Sequence, residues 1–502
     1  MQIDIFFSNF ATELYIADNR KKNQHKKAMD AINHILDEIS SVLWGYPMII
    51  LLVGTHLYLT IRLKFPQRKI LTAIKLSVAK DKDGDGDVSQ FGALATALAA
   101  TIGTGNIIGV GTAIALGGPG AVFWCWITGV LGIATKYGEG LLAVKYRRVS
   151  EQGHMLGGPM YALEYGLKAK WAGVLFAIFT ALAAFGIGST VQANAITTLA
   201  TDVMGVSPWA SGVVITLLVA LVVIGGIKSI AKVCTALVPV MAVLYVIGCI
   251  VILCVNSEYV WPAVRLICTA AFTPEAAGGG FVGSTILIAA RFGIARGLFS
   301  NESGLGSAPI VAAAAKTKNP VRQALVSSSG TFWDTVIICA ITGIVIVSSV
   351  LSYVDPKVAD DGVLGTMFGE LLETQAANID GGMLTRMAFN KIPVIGAPLL
   401  MFGLFTFAFS TILGWSLYSA RAVEYVFGYK GVKVWMWLFI VAVFVGSVIS
   451  LNTVWTFADI FNALMAIPNL LALLLLSNVL VKDTNKYLWG GRLDEEEKPT
   501  MN

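Results

Sequence analysis

The sequence predicts an all-α polytopic membrane protein with eleven transmembrane helices. Three observations carry that prediction. Of the 502 residues, 56% are apolar and only 13% charged. The apolar residues fall in blocks long enough to cross a bilayer, and Lys and Arg gather in alternate connections between them. Soluble domains run at about 45–50% apolar and about 25% charged, and a membrane helix needs about 20 apolar residues. The formal charge of +5 is small for this length and gives a nucleic acid nothing to bind. The six cysteines (Cys125, Cys234, Cys249, Cys254, Cys268 and Cys339) lack metal-ligand spacing and read as small core fillers. No charged-then-apolar signal peptide with a small-residue cleavage site opens the chain.

Residues 1–41 are mixed; 26–41 (KKAMDAINHILDEISS) has apolar residues at helical spacing, which suits a helix on the membrane interface or a solvated one. The apolar segments then run at approximately 42–63, 90–116, 119–145, 171–200, 208–226, 232–255, 281–315, 322–351, 393–420, 432–450 and 453–481. Charged pieces or pairs such as Gly118-Pro119 separate them. Cytoplasmic connections retain Lys and Arg. The 62–82 connection holds seven, and its side of the membrane carries 24 against nine on the other. The N-terminus is therefore expected outside and the C-terminus in the cytoplasm, in the cell (inner) membrane. Lys136, Arg291 and Arg296 remain inside segments.

Two segments are poor helices. The second, ALATALAATIGTGNIIGVGTAIALGG, has Gly103-Thr104-Gly105-Asn106 near its middle. The seventh has Gly293, Gly297, Gly304 and Gly306 around Ser300-Asn301-Glu302-Ser303. A glycine in a helix costs about 1 kcal/mol relative to alanine, and open backbone at membrane depth is tolerated only against protein or a water-filled cavity. An interrupted helix presents N–H groups at one half, which suit a carboxylate, and carbonyls at the other, which suit a small cation. With segment one set aside, the breaks fall in the first and sixth of ten segments. Those are matching places in two five-helix halves, and an odd number of crossings inverts the second half. Such pairs mark the midplane site of secondary transporters.

The stretch from Gly103 to Val110, running on through ALGGPGAVFWCWITGVLGIATKYGEGLLAVKYR, resembles the alanine or glycine:cation symporter family, the sodium:alanine symporters. So do GGPMY (157–161), ARGLFSNESGLGSAPIVAAAAKTKNPVRQ (295–323), GTFWDT (330–335) and FSTILGW (409–415). The resemblance spans about 40–480. It implies a leucine-transporter-type 5+5 inverted repeat preceded by one extra N-terminal helix, and symport of a small neutral amino acid with Na⁺. The chain then divides into an interfacial segment (1–41), the extra helix with its basic connection (42–89), two five-helix repeats (90–256 and 257–481) and a cytoplasmic tail (482–502).

By match to that family, the substrate carboxylate would meet backbone amides around Thr101, Gly103, Thr104 and Gly105, with Asn106 as side-chain partner. Buried N–H groups hold an anion without adding a full charge to desolvate. Gln192 reads as a second polar contact or as an interhelix hydrogen bond. Phe299, Ser300 and Asn301 would face the site from the second break, and Trp415 would cap a pocket sized for alanine, glycine or serine. Na⁺, a hard cation that wants oxygen ligands, would sit between the Ser410 and Thr411 hydroxyls and the carbonyls near Ala99 and Ile102. Na⁺ enters as a coupling ion; no cofactor is expected, and the chain is read as a monomer. Asp334 could be a gate, an ion-site neighbour or a proton carrier. Glu302, Arg291 and Arg296 suggest a gating network, and Lys136 and Glu139, spaced i, i+3, neutralise each other.

Asp81-Lys82-Asp83-Gly84-Asp85-Gly86 begins like a calcium loop, but its twelfth position is Gly92. The glycines at 103, 105 and 109 miss the dinucleotide spacing by one. An intramembrane enzyme lacks support, since no HExxH, G-x-S-x-G or Cys-His constellation occurs. Unequal polar residues around one site speak against a channel. A proton-coupled small amino acid symporter using Asp334 or Glu302 stands as the alternative.

Overall fold

A computed structural model describes residues 33–79, 84–273, 286–353, 381–449 and 452–497. Every predicted apolar segment contains helix. They are α1 (Tyr46–Arg62), α2 (Ile70–Ser77), α3 (Gln90–Thr101), α4 (Val110–Gly117), α5 (Gly120–Lys145), α6 (Lys170–Met204), α7 (Pro208–Val223), α8 (Gly226–Val255), α9 (Ser257–Ala270), α10 (Ile286–Asn301), α11 (Pro320–Leu351), α12 (Gly381–Phe389), α13 (Gly396–Val448), α14 (Asn452–Leu475) and α15 (Ser477–Asp483). Among the described residues six helices are long and apolar enough to cross a membrane, or seven if the bent pair α3/α4 counts as one span. A two-stranded hairpin pairs Arg148–Val149 with Met155–Leu156.

The helices start where the sequence supplies caps. Ser89 Oγ accepts the Gly92 N–H at the head of α3, and Asn319 Oδ1 accepts the Arg322 N–H at the head of α11. Each satisfies a donor that the first turn leaves free. α5 packs on α10 and α11, while α13 crosses α6, α7 and α8. The core lies between these groups, with Tyr137, Phe176, Tyr245, Phe407 and Trp415 buried in it.

Several expectations change. Segments nine and ten form one helical path, Gly396–Val448, interrupted only at Gly428, where φ is 67°. Residues 421–427 continue the helix, and Arg421 pairs with Glu424 one turn on at 2.6 Å. The seventh segment is helical only to Asn301. Glu302, Gly304 and Gly306 then take φ of 55°, 93° and 84°, and only the short turn Pro309–Ala312 is helical again before 315. Helices α2, α9 and α12 occupy stretches read as connections. Of the amphipathic stretch 26–41, only 33 onward is described, and it is helical. Asp81 to Asp83 of the calcium-like loop lie outside the described residues.

Candidate functional site

The first break has the geometry its composition suggested. α3 ends at Thr101, Ile102 is extended (φ −75°, ψ 93°), and the path bends by 52° before the next helical piece. A wider π-helical turn, Gly105–Gly109, leads into α4. Matching wide turns occur at Ala184–Thr190 in α6 and Phe332–Cys339 in α11. Such turns recur at functional sites because they leave backbone groups without regular helical partners.

At the carbonyl end of α3, α13 brings two hydroxyls to the freed oxygens. Ser410 Oγ is 3.1 Å from Ala99 O, and Thr411 Oγ1 is 3.2 Å from Ala99 O and 3.5 Å from Ile102 O. All four residues are buried. The approach needs Gly103, since a Cβ there would stand 2.5 Å from Thr411 Oγ1. Ligands of a hard cation bound at about 2.3–2.6 Å are separated by roughly these distances. The negative end of the α3 dipole adds to the attraction. The oxygens predicted to hold an ion therefore converge. Among the described residues no group of three or more His, Cys, Asp or Glu could hold a metal.

Asn106 ties the break to α11. Its Oδ1 accepts the Gly103 N–H at 2.9 Å, and its Nδ2 donates to Asp334 Oδ1 at 2.8 Å and Asp334 O at 3.2 Å. Asp334 Oδ2 accepts from Ser300 Oγ at 2.8 Å and Thr335 Oγ1 at 2.7 Å. One carboxylate thus links both interrupted helices. Asn106 and the Gly103 N–H, expected to meet a substrate, here bond to each other. Asn301 is engaged likewise: its Nδ2 donates to Thr335 Oγ1 and its Oδ1 accepts the Ser303 N–H. Thr101 Oγ1 donates to Ala97 O in its own helix.

Unused polar atoms collect nearby. Thr104 Oγ1, Gln192 Oε1 and Tyr418 Oη are buried and make no hydrogen bond within the protein. Gln192 Oε1 lies 3.6 Å from where a Cβ would stand on Gly103, while its Nε2 donates to Ile187 O at 3.0 Å. An orphaned buried acceptor is costly, and an amino acid's ammonium is the kind of donor that would satisfy it. Phe299 packs against Gly105, and Trp415 against Gly188 in the wide turn of α6. Tyr418, one turn beyond Trp415 and edge-on to it at 5.6 Å, went unnoticed in the sequence. Its signal was a polar tip within an apolar run.

The second break departs from the expected gating network. Glu302 Oε2 accepts Ser307 Oγ at 2.5 Å, and among the described residues it pairs with neither Arg291 nor Arg296. Arg291 is exposed, whereas Arg296 lies 5.6 Å from the centre of the Phe299 ring. Physically, α10 ends between them, so the positive φ of Glu302 turns its side chain toward its own loop. The loop is anchored by Glu139 of α5. Its Oε1 accepts the N–H groups of Gly304 (2.9 Å) and Gly306 (3.1 Å) and Asn469 Nδ2 from α14 (2.7 Å). Lys136 Nζ stands 3.9 Å from Glu139 Oε2, so neutralisation is only part of what Glu139 does. The anchoring pair Glu139–Asn469 was invisible because it spans 330 residues of sequence.

A cavity of about 610 Å³ reaches the site from one end of the bundle, lined by Ile107, Asn194, Arg296 and Thr385 among others. Asp202 and Arg386, also in its wall, pair at 2.7 Å. Ahead of α3, Asp87 N donates to Ala314 O and Lys316 N to Val88 O, each at 2.8 Å.

This arrangement has known counterparts. Residues 29–501 match the model of the sodium:alanine symporter family. The sodium/alanine symporter AgcS of Methanococcus maripaludis is 46% identical over 466 residues, covering 91% of this chain and 98% of that protein. An uncharacterized transporter of Haemophilus influenzae is 48% identical over 458 residues, covering 91% and 96%. Among solved structures, MhsT in complex with L-phenylalanine superposes with a TM-score of 0.51 at 14% identity, covering 82% of this chain and 95% of that one. The fold is thus of the leucine-transporter type. The chain is a multi-pass membrane transporter, an amino acid:cation symporter belonging to the sodium:alanine symporter family.

Proposed function

We propose that the protein imports a small neutral amino acid, alanine first and glycine or serine with it, together with Na⁺, by alternating access. One observation carries the reading: the Ser410 and Thr411 hydroxyls meet the Ala99 and Ile102 carbonyls at the broken end of α3. Beside them, Gln192 Oε1 is an acceptor without a donor. Na⁺ joins α3 to α13 through oxygens on both. It stabilises the conformation in which they touch, and a ligand shifts an equilibrium only through such differential contacts. The amino acid lies next to the ion along the Gly103–Asn106 stretch, with its ammonium toward Gln192 and its small side chain under Trp415. The name of the relative AgcS agrees with this substrate pair.

In this reading the 610 Å³ cavity is the extracellular vestibule, and the end where residues 87–88 bond to 314–316 is closed and faces the cytoplasm. The same reading takes the protein as a monomer in the cell membrane, with the N-terminus outside; the Lys and Arg distribution supports that orientation. The test is uptake of labelled L-alanine into proteoliposomes under an imposed Na⁺ or proton gradient. Accumulation driven by Na⁺ is expected. Accumulation driven only by protons would move the coupling role to Asp334 or Glu302, and no uptake under either gradient would remove alanine as the substrate.

A further inference from the structure

Among the described residues, three carboxylates and one ammonium are buried together at the centre of the bundle. They are Glu139 (2% exposed), Glu302 (1%), Asp334 (0%) and Lys136 (4%). The hydrogen-bond donors to the carboxylates are neutral: two backbone N–H groups and Asn469 for Glu139, Ser307 for Glu302, and Asn106, Ser300 and Thr335 for Asp334. The cluster therefore sets three carboxyl groups against one resident basic group, Lys136. Arg296 lies apart, half-buried in the wall of the large cavity, where it interacts with Asp459.

Lys136 is held in an unusual way. Its Nζ makes no hydrogen bond within the protein, and its nearest carboxylate oxygen, Glu139 Oε2, is 3.9 Å away. With Thr101, Asn301 and Ser327 it lines a cavity of about 10 Å³, room for roughly one water. It interacts electrostatically with Glu302 and Asp334, and with His56 of α1, whose Nδ1 bonds Thr135 Oγ1 at 2.7 Å. An ammonium serving as a structural clamp would direct its three donors to fixed acceptors. This one faces several carboxyl groups at once with no direct bond to any protein acceptor, and lines a cavity shared with Thr101 at the carbonyl end of α3. Buried charge left uncompensated is strongly unfavourable, so a core that lost this cation would have to recruit another.

We propose that Lys136 is a coupling-determining residue: its tethered ammonium stands, in the charge balance of the core, where one further transported cation would otherwise stand. It thereby lowers by one the number of cations carried per amino acid. The inference rests on the Na⁺-coupled reading above.

The test measures that number. Full-length protein is reconstituted in proteoliposomes at a clamped membrane potential. The Na⁺ gradient that stops net movement of labelled L-alanine gives the cation:alanine ratio. K136R is expected to keep the wild-type ratio and K136M to raise it by one. The charge-matched double variant K136M/E139Q is expected to return it to the wild-type value. A wild-type ratio in K136M overturns the proposal. Loss of transport in both K136M and K136M/E139Q also overturns it, by giving Lys136 a structural role. A wild-type protein indifferent to Na⁺ instead defeats the sodium reading; the same measurement under a proton gradient then counts protons and judges Lys136 by the same shift of one.

Discussion

Ser410 and Thr411 each make a hydrogen bond to Phe407 O in their own helix, at 2.9 and 3.0 Å. Hydroxyls in helices commonly do this, so their presence in α13 says little by itself. What distinguishes them is the second contact with the carbonyls of α3. Replacing both (S410A/T411V) removes two oxygens from the proposed ion shell while leaving the helix intact. The Na⁺ concentration for half-maximal uptake should rise at least about tenfold, equivalent to ~1.4 kcal/mol; an unchanged Na⁺ dependence would place the ion elsewhere. Gln192 should behave differently. Q192A removes the orphaned acceptor and its Ile187 partner bond. It should weaken the apparent affinity for alanine by about tenfold or more with little change in the Na⁺ requirement, as read from uptake at varied alanine and saturating Na⁺. Residue types and order were enough to suggest these positions. The sequence could not tell that Asn106 bonds Gly103 and Asp334, because Asp334 lies 228 positions away.

At the scale of the element, an interrupted helix needs partners for the groups it frees. The structure supplies them from other elements: Asn106 and Asp334 for the first break, Glu139 and Asn469 for the second. N106A would take a partner from the Gly103 N–H and from two Asp334 oxygens, Oδ1 and the carbonyl, at about 1–3 kcal/mol for each buried group left unsatisfied. Both alanine uptake and melting temperature should fall. Lost uptake with unchanged melting would point instead to a direct substrate contact. The breaks were legible because glycine and polar residues contradict an apolar helix. The continuity of α13 through 421–427 was not, since Arg421, Glu424 and Lys430 look like a solvated connection until Arg421 and Glu424 are seen to pair along a helix.

At the scale of the molecule, the C-terminal segment ties the head of α11 to the end of α5. Asn319 Nδ2 donates to Leu493 O and Glu495 O at 2.8 and 2.9 Å, Arg322 pairs with Asp494, and Lys145 pairs with Asp483 at 2.6 Å. N319A removes the α11 cap, costing about 1 kcal/mol, along with both bonds to the tail. A cysteine introduced at buried Ala312 (A312C) should then react faster with a thiol reagent than in the background carrying Asn319. Equal rates would mean that the tail does not restrain this end. By itself, the sequence determined the fold class, the apolar segments and the two places where helices had to open. Those follow from local terms: transfer of apolar side chains into lipid and the cost of glycine and polar groups in a helix. Only the tertiary structure decided which side chains meet the opened backbone and which buried charges share a centre. Hydrogen bonds and electrostatic neighbours depend on distance in space, and here the decisive pairs lie 165 to 330 residues apart along the chain.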